Sequence, residues 1–320
     1  MSSDSNGVVY AALTGNVLVA TSKFAAAFLS GSSAMLTEAV HSSTDCVNQV
    51  LLLFGARRGA KAADQSHPFG YDGEIYFYAF VVAVMVLLAG GALSIYQGIH
   101  ELRHPHPIQA PVLSLTVLLL SAVFEGGSLY FGYAAAQRLI ARHPSSPGGV
   151  SIWRFIGLSK DPNMYETLLE DSAALVGIAF AALGILGSVL LGRLWMDAAA
   201  SIAIGLLLII NSCGIAFATR SLIAGESVAP ALLKEIERAL DRAGLSQRCG
   251  ELKSLHLGPN TILVTLRVSR SDSDGPALDE LLDDVTRQVK DVDDRIKFVF
   301  FDLPAADSRG ESTPETTTAA

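Results

Sequence analysis

Apolar stretches recur along this chain at about residues 8–29, 33–56, 75–98, 111–136, 166–191 and 195–218. Each is close to the roughly 20 residues that a helix needs to cross a bilayer. Two of the intervals are very short: Ser30-Gly31-Ser32 joins the first pair and Gly192-Arg193-Leu194 the last, so each pair is predicted to form a tight antiparallel hairpin. Ala89-Gly90-Gly91-Ala92 and Ala198-Ala199-Ala200-Ser201 supply the small residues that close helix contact in lipid favours. After Thr219 the pattern changes. Val228 to Ala243 has amphipathic helical spacing, and Leu252 to Leu257 and Thr261 to Val268 read as two strands around Gly258-Pro259-Asn260. Pro276 to Lys290 reads as a second helix and Ile296 to Leu303 as a last strand. The predicted architecture is an all-α six-helix transmembrane domain at 8–222, followed at 223–303 by a small α+β domain of order αββαβ. Residues 1–7 and the Ser/Thr/Ala-rich 304–320 are expected to be disordered.

One polar run interrupts this pattern. Within the second stretch, Glu38, His41, Asp45 and Asn48 fall within roughly 80° of one another on a helix. Ionisable groups at membrane depth cost about 2.5–3.5 kcal/mol each on insertion scales, so they usually face an interior path. His41 and Asp45, four residues apart, set two metal-capable side chains side by side. Other polar groups invite plainer readings. Lys23 is expected to snorkel or to be salt-bridged, with Glu170 as one possible partner. Glu125 divides between a relay and structural pairing. Cys46 points about 100° away from Asp45 and reads as packing. His67, before Pro68-Phe69-Gly70-Tyr71, reads as part of a turn that positions the third helix. His143 reads as exposed, and His100, His104 and His106 read as a solvated outward loop punctuated by Pro105 and Pro107, with loose gathering of metal as the alternative.

Composition narrows the class. Half of the residues are hydrophobic and 17% are charged, below the quarter usual in soluble domains, so a multi-pass protein of the lipid bilayer is expected. A net charge of −8 without a basic cluster argues against a nucleic-acid partner. Three cysteines without a CxxC indicate neither a disulfide framework nor a zinc ribbon. The polar start lacks the basic region of a cleaved signal peptide. No HExxH, GxSxG or equivalent arrangement is present, so an enzyme is not expected and no cofactor is implied. Arg57, Arg58, Lys61, Arg138, Arg142, Arg154 and Lys160 lie in two connections, against Arg103 and Arg193 on the other side. That bias places those connections and both ends of this chain in the cytoplasm of a cell (inner) membrane.

Three stretches together resemble the cation diffusion facilitator family, most closely the branch containing the ninth human zinc-transporter type. They are Glu38-Ala-Val-His41-Ser-Ser-Thr-Asp45-Cys-Val-Asn48-Gln49, His67-Pro68-Phe69-Gly70-Tyr71 and Leu168-Leu169-Glu170-Asp171-Ser172-Ala173-Ala174. The resemblance implies a homodimeric exporter of divalent metal, usually in exchange for protons, with a ferredoxin-like cytoplasmic αββαβ domain. It implies a metal site between the second and fifth helices, with His41, Asp45 and Asp171 as ligands. Thr167 stands where many members carry His or Asp, so the site has either three strong ligands plus water or a neighbour such as Glu170 substituting. Glu170 lies about 100° from Asp171 on an ideal helix, while Glu38 and Asn48 read as groups that orient ligands. Zn2+ is the first expectation, with Mn2+, Fe2+ and Co2+ admitted by the carboxylates. His256 and Asp302 are rough candidates for a regulatory metal site. The rival reading is a non-transporting membrane scaffold or metal sensor, favoured by Thr167.

Overall fold

The structure is a computed structural model that describes residues 3–142, 162–269 and 277–303, with side chains at 13–138, 167–269 and 278–303. His143, Arg154, Lys160 and the tail 304–320 lie outside the described residues. The chain divides into two compact units at Ala224 and Gly225.

The first unit is helical: α1 (Ser3–Ser30), α2 (Ser33–Gly59), α3 (Glu74–Met85), a π-helical segment (Val86–Ala92), α4 (Leu93–Arg103), α5 (Pro111–Arg142), α6 (Pro162–Leu190) and α7 (Trp195–Ala224). Both short connections form hairpin turns, through Gly31 and Gly192 at φ +68° and +64°, where a Cβ would clash with the backbone. Residues 3–7, expected to be disordered, belong to α1. The third apolar stretch is not uniform, because its Gly90-Gly91 pair lies in the π segment, where small side chains permit the wider turn. Ser94 Oγ donates to the Gly90 carbonyl at 2.5 Å there.

Among the described residues, five helices are long and apolar enough to cross a membrane, counting Glu74–Arg103 as one. The second apolar stretch does not qualify, because the polar residues from Glu38 to Gln49 lower its mean hydropathy. It is instead the most enclosed: Met35, Thr37, Glu38, Ala39, His41, Ser42 and Asn48 are all buried. The core takes Ala26 from α1, Met35 from α2, Val82 from α3, Leu118 from α5, Ile178 from α6 and Ile204 from α7. Large apolar side chains such as Phe28, Phe131, Leu190 and Ile210 point outward instead, as suits contact with lipid tails. Small residues allow close contact in both stretches: a Cβ on Gly205 of α7 would lie 2.8 Å from the Gly91 carbonyl oxygen, and one on Gly98 of α4 2.8 Å from the Ala198 carbonyl oxygen.

The polar face of α2 is fixed by its N-terminus. Ser32 caps the helix by accepting from the Met35 amide at 3.1 Å. Asp197, at the start of α7, then accepts from Ser32 Oγ at 2.5 Å, from the Ser33 amide at 2.6 Å, from Ser33 Oγ at 2.9 Å and from the Ala34 amide at 3.3 Å. A carboxylate there satisfies orphan amides and complements the helix dipole. One turn on, Thr37 Oγ1 and Ser201 Oγ hydrogen-bond at 2.6 Å. These contacts set the rotation of α2 against α7.

The second unit contains α8 (Pro230–Arg242), β1 (Cys249–Gly258), β2 (Thr261–Val268), α9 (Ala277–Lys290) and β3 (Ile296–Asp302). The sheet order is β1-β2-β3, with β1 antiparallel and β3 parallel to β2. Alternate residues Ile262, Val264, Leu266 and Val268 are fully buried, under Ile236 and Leu240 of α8 and Val285 and Val289 of α9. His256 and Asp302 are not brought together within this unit. His256 pairs with Ile262, whereas Asp302 pairs with Arg267, five positions or roughly 16 Å further along β2. His256 is buried, and Asp302 accepts from Arg267 Nε at 2.8 Å.

Candidate metal pathway between four helices

A cavity of about 100 Å³ opens among α1, α2, α5 and α6. Ser42, Asp45, Gln49 and Leu52 line it from α2, Glu125 and Ser128 from α5, and Asn16 and Val19 from α1. Thr167, Glu170, Asp171 and Ala174 line it from α6. The α6 residues recur at i, i+3, i+4 and i+7, one stripe of a helix about 100° wide. Glu170 and Asp171 keep their separation of about 100° at the two edges of that stripe, and the cavity is wide enough to meet both.

The cavity thus gathers four carboxyl side chains, Asp45, Glu125, Glu170 and Asp171, and among the described residues no Lys, Arg or His lines it. Neighbours hold two of them in place. Asn48 Nδ2 donates to Glu170 Oε1 at 2.7 Å, and Ser128 Oγ donates to Asp171 Oδ2 at 2.8 Å. Asp45 and Glu170 face the same cavity from α2 and α6.

His41 stands apart from the lining. It is buried, with Nδ1 3.3 Å from Asp45 Oδ1, but the two are not aligned as a hydrogen bond, and neither His41 nitrogen has a hydrogen-bond partner. Glu38 Oε1, Asp45 Oδ1 and Asn48 Oδ1 are likewise buried without one. Five such atoms on one helix face are exceptional, since buried polar groups are nearly always paired. Among the described residues, no three His, Cys, Asp or Glu side chains converge as a closed metal cage, so His41, Asp45 and Asp171 do not meet at one point. The reason is rotational: His41 lies about 60° round α2 from the middle of the cavity-lining stripe, and Asp45 alone touches both environments.

Lys23 is neither snorkelling nor paired with Glu170. Its ammonium is fully buried and donates to Glu38 Oε2 at 2.9 Å and Ser42 Oγ at 2.7 Å. Glu38 in turn sits against Gly177 of α6, where a Cβ would fall 2.6 Å from Glu38 Oε1. Sequence reasoning missed Gly177 and Asp197. Asp197, an acid in the first turn of an apolar helix, was the available signal, whereas nothing in the sequence marks Gly177.

In the connection between α2 and α3, Asp64 organises the turn before α3. Its Oδ1 accepts from Ser66 Oγ at 2.6 Å and from the Ser66 and His67 amides at 2.9 Å, and its Oδ2 from Tyr71 Oη at 2.7 Å. The His67 and Tyr71 rings stack with centroids 4.0 Å apart, and Arg58 ties the end of α2 to Glu74 at 3.1 Å.

The profile of the cation efflux transmembrane domain matches residues 9–224. The human protein named "Proton-coupled zinc antiporter SLC30A9, mitochondrial" is 30% identical over 251 residues, covering 78% of this chain and 43% of that protein. Its Xenopus laevis counterpart is 28% identical over 299 residues, 91% of this chain and 52% of the relative. Metal tolerance protein C4 of Arabidopsis thaliana is 27% identical over 257 residues, 80% and 55% respectively. The chain therefore spans about half the length of these relatives.

Proposed function

Because this chain belongs to the cation efflux family, we propose that it is a secondary transporter that exports a divalent metal cation, first of all Zn2+, in exchange for protons. One observation carries the reading: four carboxyls face one cavity between four helices, with no cationic side chain lining it among the described residues. Such a site needs positive charge, and a divalent ion or protons can each supply it. Metal binding favours charged carboxylates and neutral imidazole, so protons and metal compete for the same groups. That competition is the coupling.

In this reading the cargo is held by Asp45 from α2 and by Asp171 and Glu170 from α6, and His41 supplies the nitrogen donor through its place beside Asp45. The orphaned nitrogens of His41 and oxygens of Asp45 and Asn48 support a cation-binding face on α2. Glu170 takes the part that Thr167 does not fill, which weakens the rival reading of a scaffold or sensor. Carboxylates alongside one imidazole suit Zn2+ while admitting Mn2+, Fe2+ and Co2+. Asn48 and Ser128 orient the acids, and Lys23 with Glu38 braces the hairpin. The names of the human and Xenopus relatives, proton-coupled zinc antiporters, support zinc and protons as the exchanged pair.

The same reading takes α2 as a sixth span, sheltered by its neighbours, with the basic connections on the cytoplasmic side of a cell membrane. The αββαβ unit is then a cytoplasmic ferredoxin-like domain through which two copies pair, as the family resemblance implies. The test is Zn2+ flux into proteoliposomes with and without an imposed pH gradient. Flux driven by the gradient and abolished in Asp45→Ala is expected. Flux indifferent to the gradient overturns the antiport, and flux unchanged in Asp45→Ala overturns the site.

A further inference from the structure

The end of α4 carries chemistry that transport through the cavity does not use. Its histidines were expected in a solvated loop, yet α4 runs to Arg103 and His104 is its C-cap, with the His104 amide donating to the His100 carbonyl at 3.1 Å. His100 and His104 therefore stand four residues apart on one helical face. Their ring centroids are 5.0 Å apart and their planes are inclined by 34°. A zinc ion about 2.0–2.1 Å from one nitrogen of each ring, in tetrahedral array, sets two imidazole centroids roughly 5 Å apart. The rings already have that spacing.

The surroundings favour a cation. The C-terminal end of a helix carries partial negative charge. The connection after α4 also folds back upon it: the His106 amide donates to Glu101 Oε1 at 2.8 Å, and His106 Nδ1 lies 3.3 Å from the same oxygen. That contact braces the last turn and holds a carboxylate next to His100 in sequence. His100 and His104 are exposed, so water can complete the coordination.

The geometry points to a second divalent-cation site, separate from the cavity, in which His100 and His104 supply two nitrogen ligands to a borderline-soft ion such as Zn2+. Imidazole selects against Mg2+ and Ca2+, which require oxygen ligands. Two protein ligands make the site weak and fast-exchanging, suited to holding an ion transiently. Its place on the release side rests on the orientation proposed above, but the binding itself does not.

The experiment is carbethoxylation of histidines in the full chain, mapped by mass spectrometry with no metal, with Zn2+ and with Mg2+, alongside Zn2+ stoichiometry measured by chelator competition. Zinc is expected to protect His100 and His104 at least several-fold in both the unaltered chain and Asp45→Ala, and magnesium is not. His100→Ala/His104→Ala should bind one equivalent fewer than the unaltered chain, and His100→Gln/His104→Gln should do the same while preserving polarity. Equal modification with and without zinc, or unchanged stoichiometry in both double variants, overturns the proposal. If Asp45→Ala keeps every equivalent while the double variants lose one, the cavity reading fails and this site stands. The reverse pattern removes this site and leaves the cavity.

Discussion

Lys23 and Glu38 make the most exacting energetic prediction. Both side chains are fully buried, the ammonium donates to Glu38 and Ser42, 2.9 and 2.7 Å away, and Glu38 lies so near Gly177 that a Cβ there would fall 2.6 Å from its Oε1. Removing one member of a buried pair leaves the other charge uncompensated, which costs about 3–5 kcal/mol, whereas replacing both by groups of similar volume is close to neutral or stabilising. Lys23→Met and Glu38→Gln should therefore each lower the unfolding free energy by about 3–5 kcal/mol, while the double variant should lie within about 1 kcal/mol of the unaltered chain. Each single loss is roughly 150- to 5,000-fold in the folding equilibrium, and the interaction energy, the double effect minus the two single ones, is about 6–10 kcal/mol in magnitude. The assay is a double-mutant cycle by denaturant titration in mixed micelles, with Lys253→Met as an exposed control (69% exposed). If Lys23→Met costs no more than Lys253→Met, or the two single effects simply add, the pair is not the buried brace described here.

Three further outcomes follow from other contacts. Gly177→Ala places a methyl 2.6 Å from Glu38 Oε1 and should cost about 1–3 kcal/mol by overpacking; thermal unfolding in a Glu38→Ala background should show most of that cost removed. Asp197→Ala strips four hydrogen bonds from the start of α2 and should lower the midpoint of thermal unfolding more than Asp197→Asn, which keeps one acceptor oxygen; equal shifts would mean that the cap does not anchor the helix. Hydrogen bonds from Ser66 first, then Tyr71 and the His67 amide, hold the Asp64 carboxyl well below the usual carboxylate range. Its contribution is fully present above the unfolded value of about 3.9 and is lost only as pH falls through the still lower folded value. Protection of the Ser66 and His67 amides in hydrogen exchange, corrected for intrinsic rate, should therefore stay constant from pH 8 to pH 5, and a decline across that range would contradict the assignment.

Much of the architecture was legible because membrane helices announce themselves by length and apolarity, and the β2 alternation from Ile262 to Val268 could be read directly. The polar run of α2 was legible for the opposite reason, since Glu38, His41, Asp45 and Asn48 are costly where they stand. What sequence could not supply was rotation. Angles on an ideal helix placed Glu170 away from Asp171, but a cavity bounded by four helices meets a stripe rather than a line, and both acids reach it. The same angles grouped His41 with Asp45, yet the contacts of Asp197 and Ser201 turn α2 so that Asp45 reaches the cavity and His41 remains behind it. Pairing was equally hidden: Lys23 had several acids within reach, and the structure joins it to Glu38. Pro105 and Pro107 suggested a loop for the histidines after Ile99; His104 and His106 lie beyond the end of α4 and are exposed, whereas α4 continues to Arg103 and carries His100 on its last turn.

The most direct test of the transport site is anomalous diffraction at the zinc edge from zinc-loaded protein, recorded for the unaltered chain and for Asp45→Ala. The account predicts a peak between α2 and α6 within coordinating distance of Asp45, absent from Asp45→Ala. A strong peak elsewhere in the helical unit with none at Asp45, or one that persists unchanged in Asp45→Ala, would contradict it.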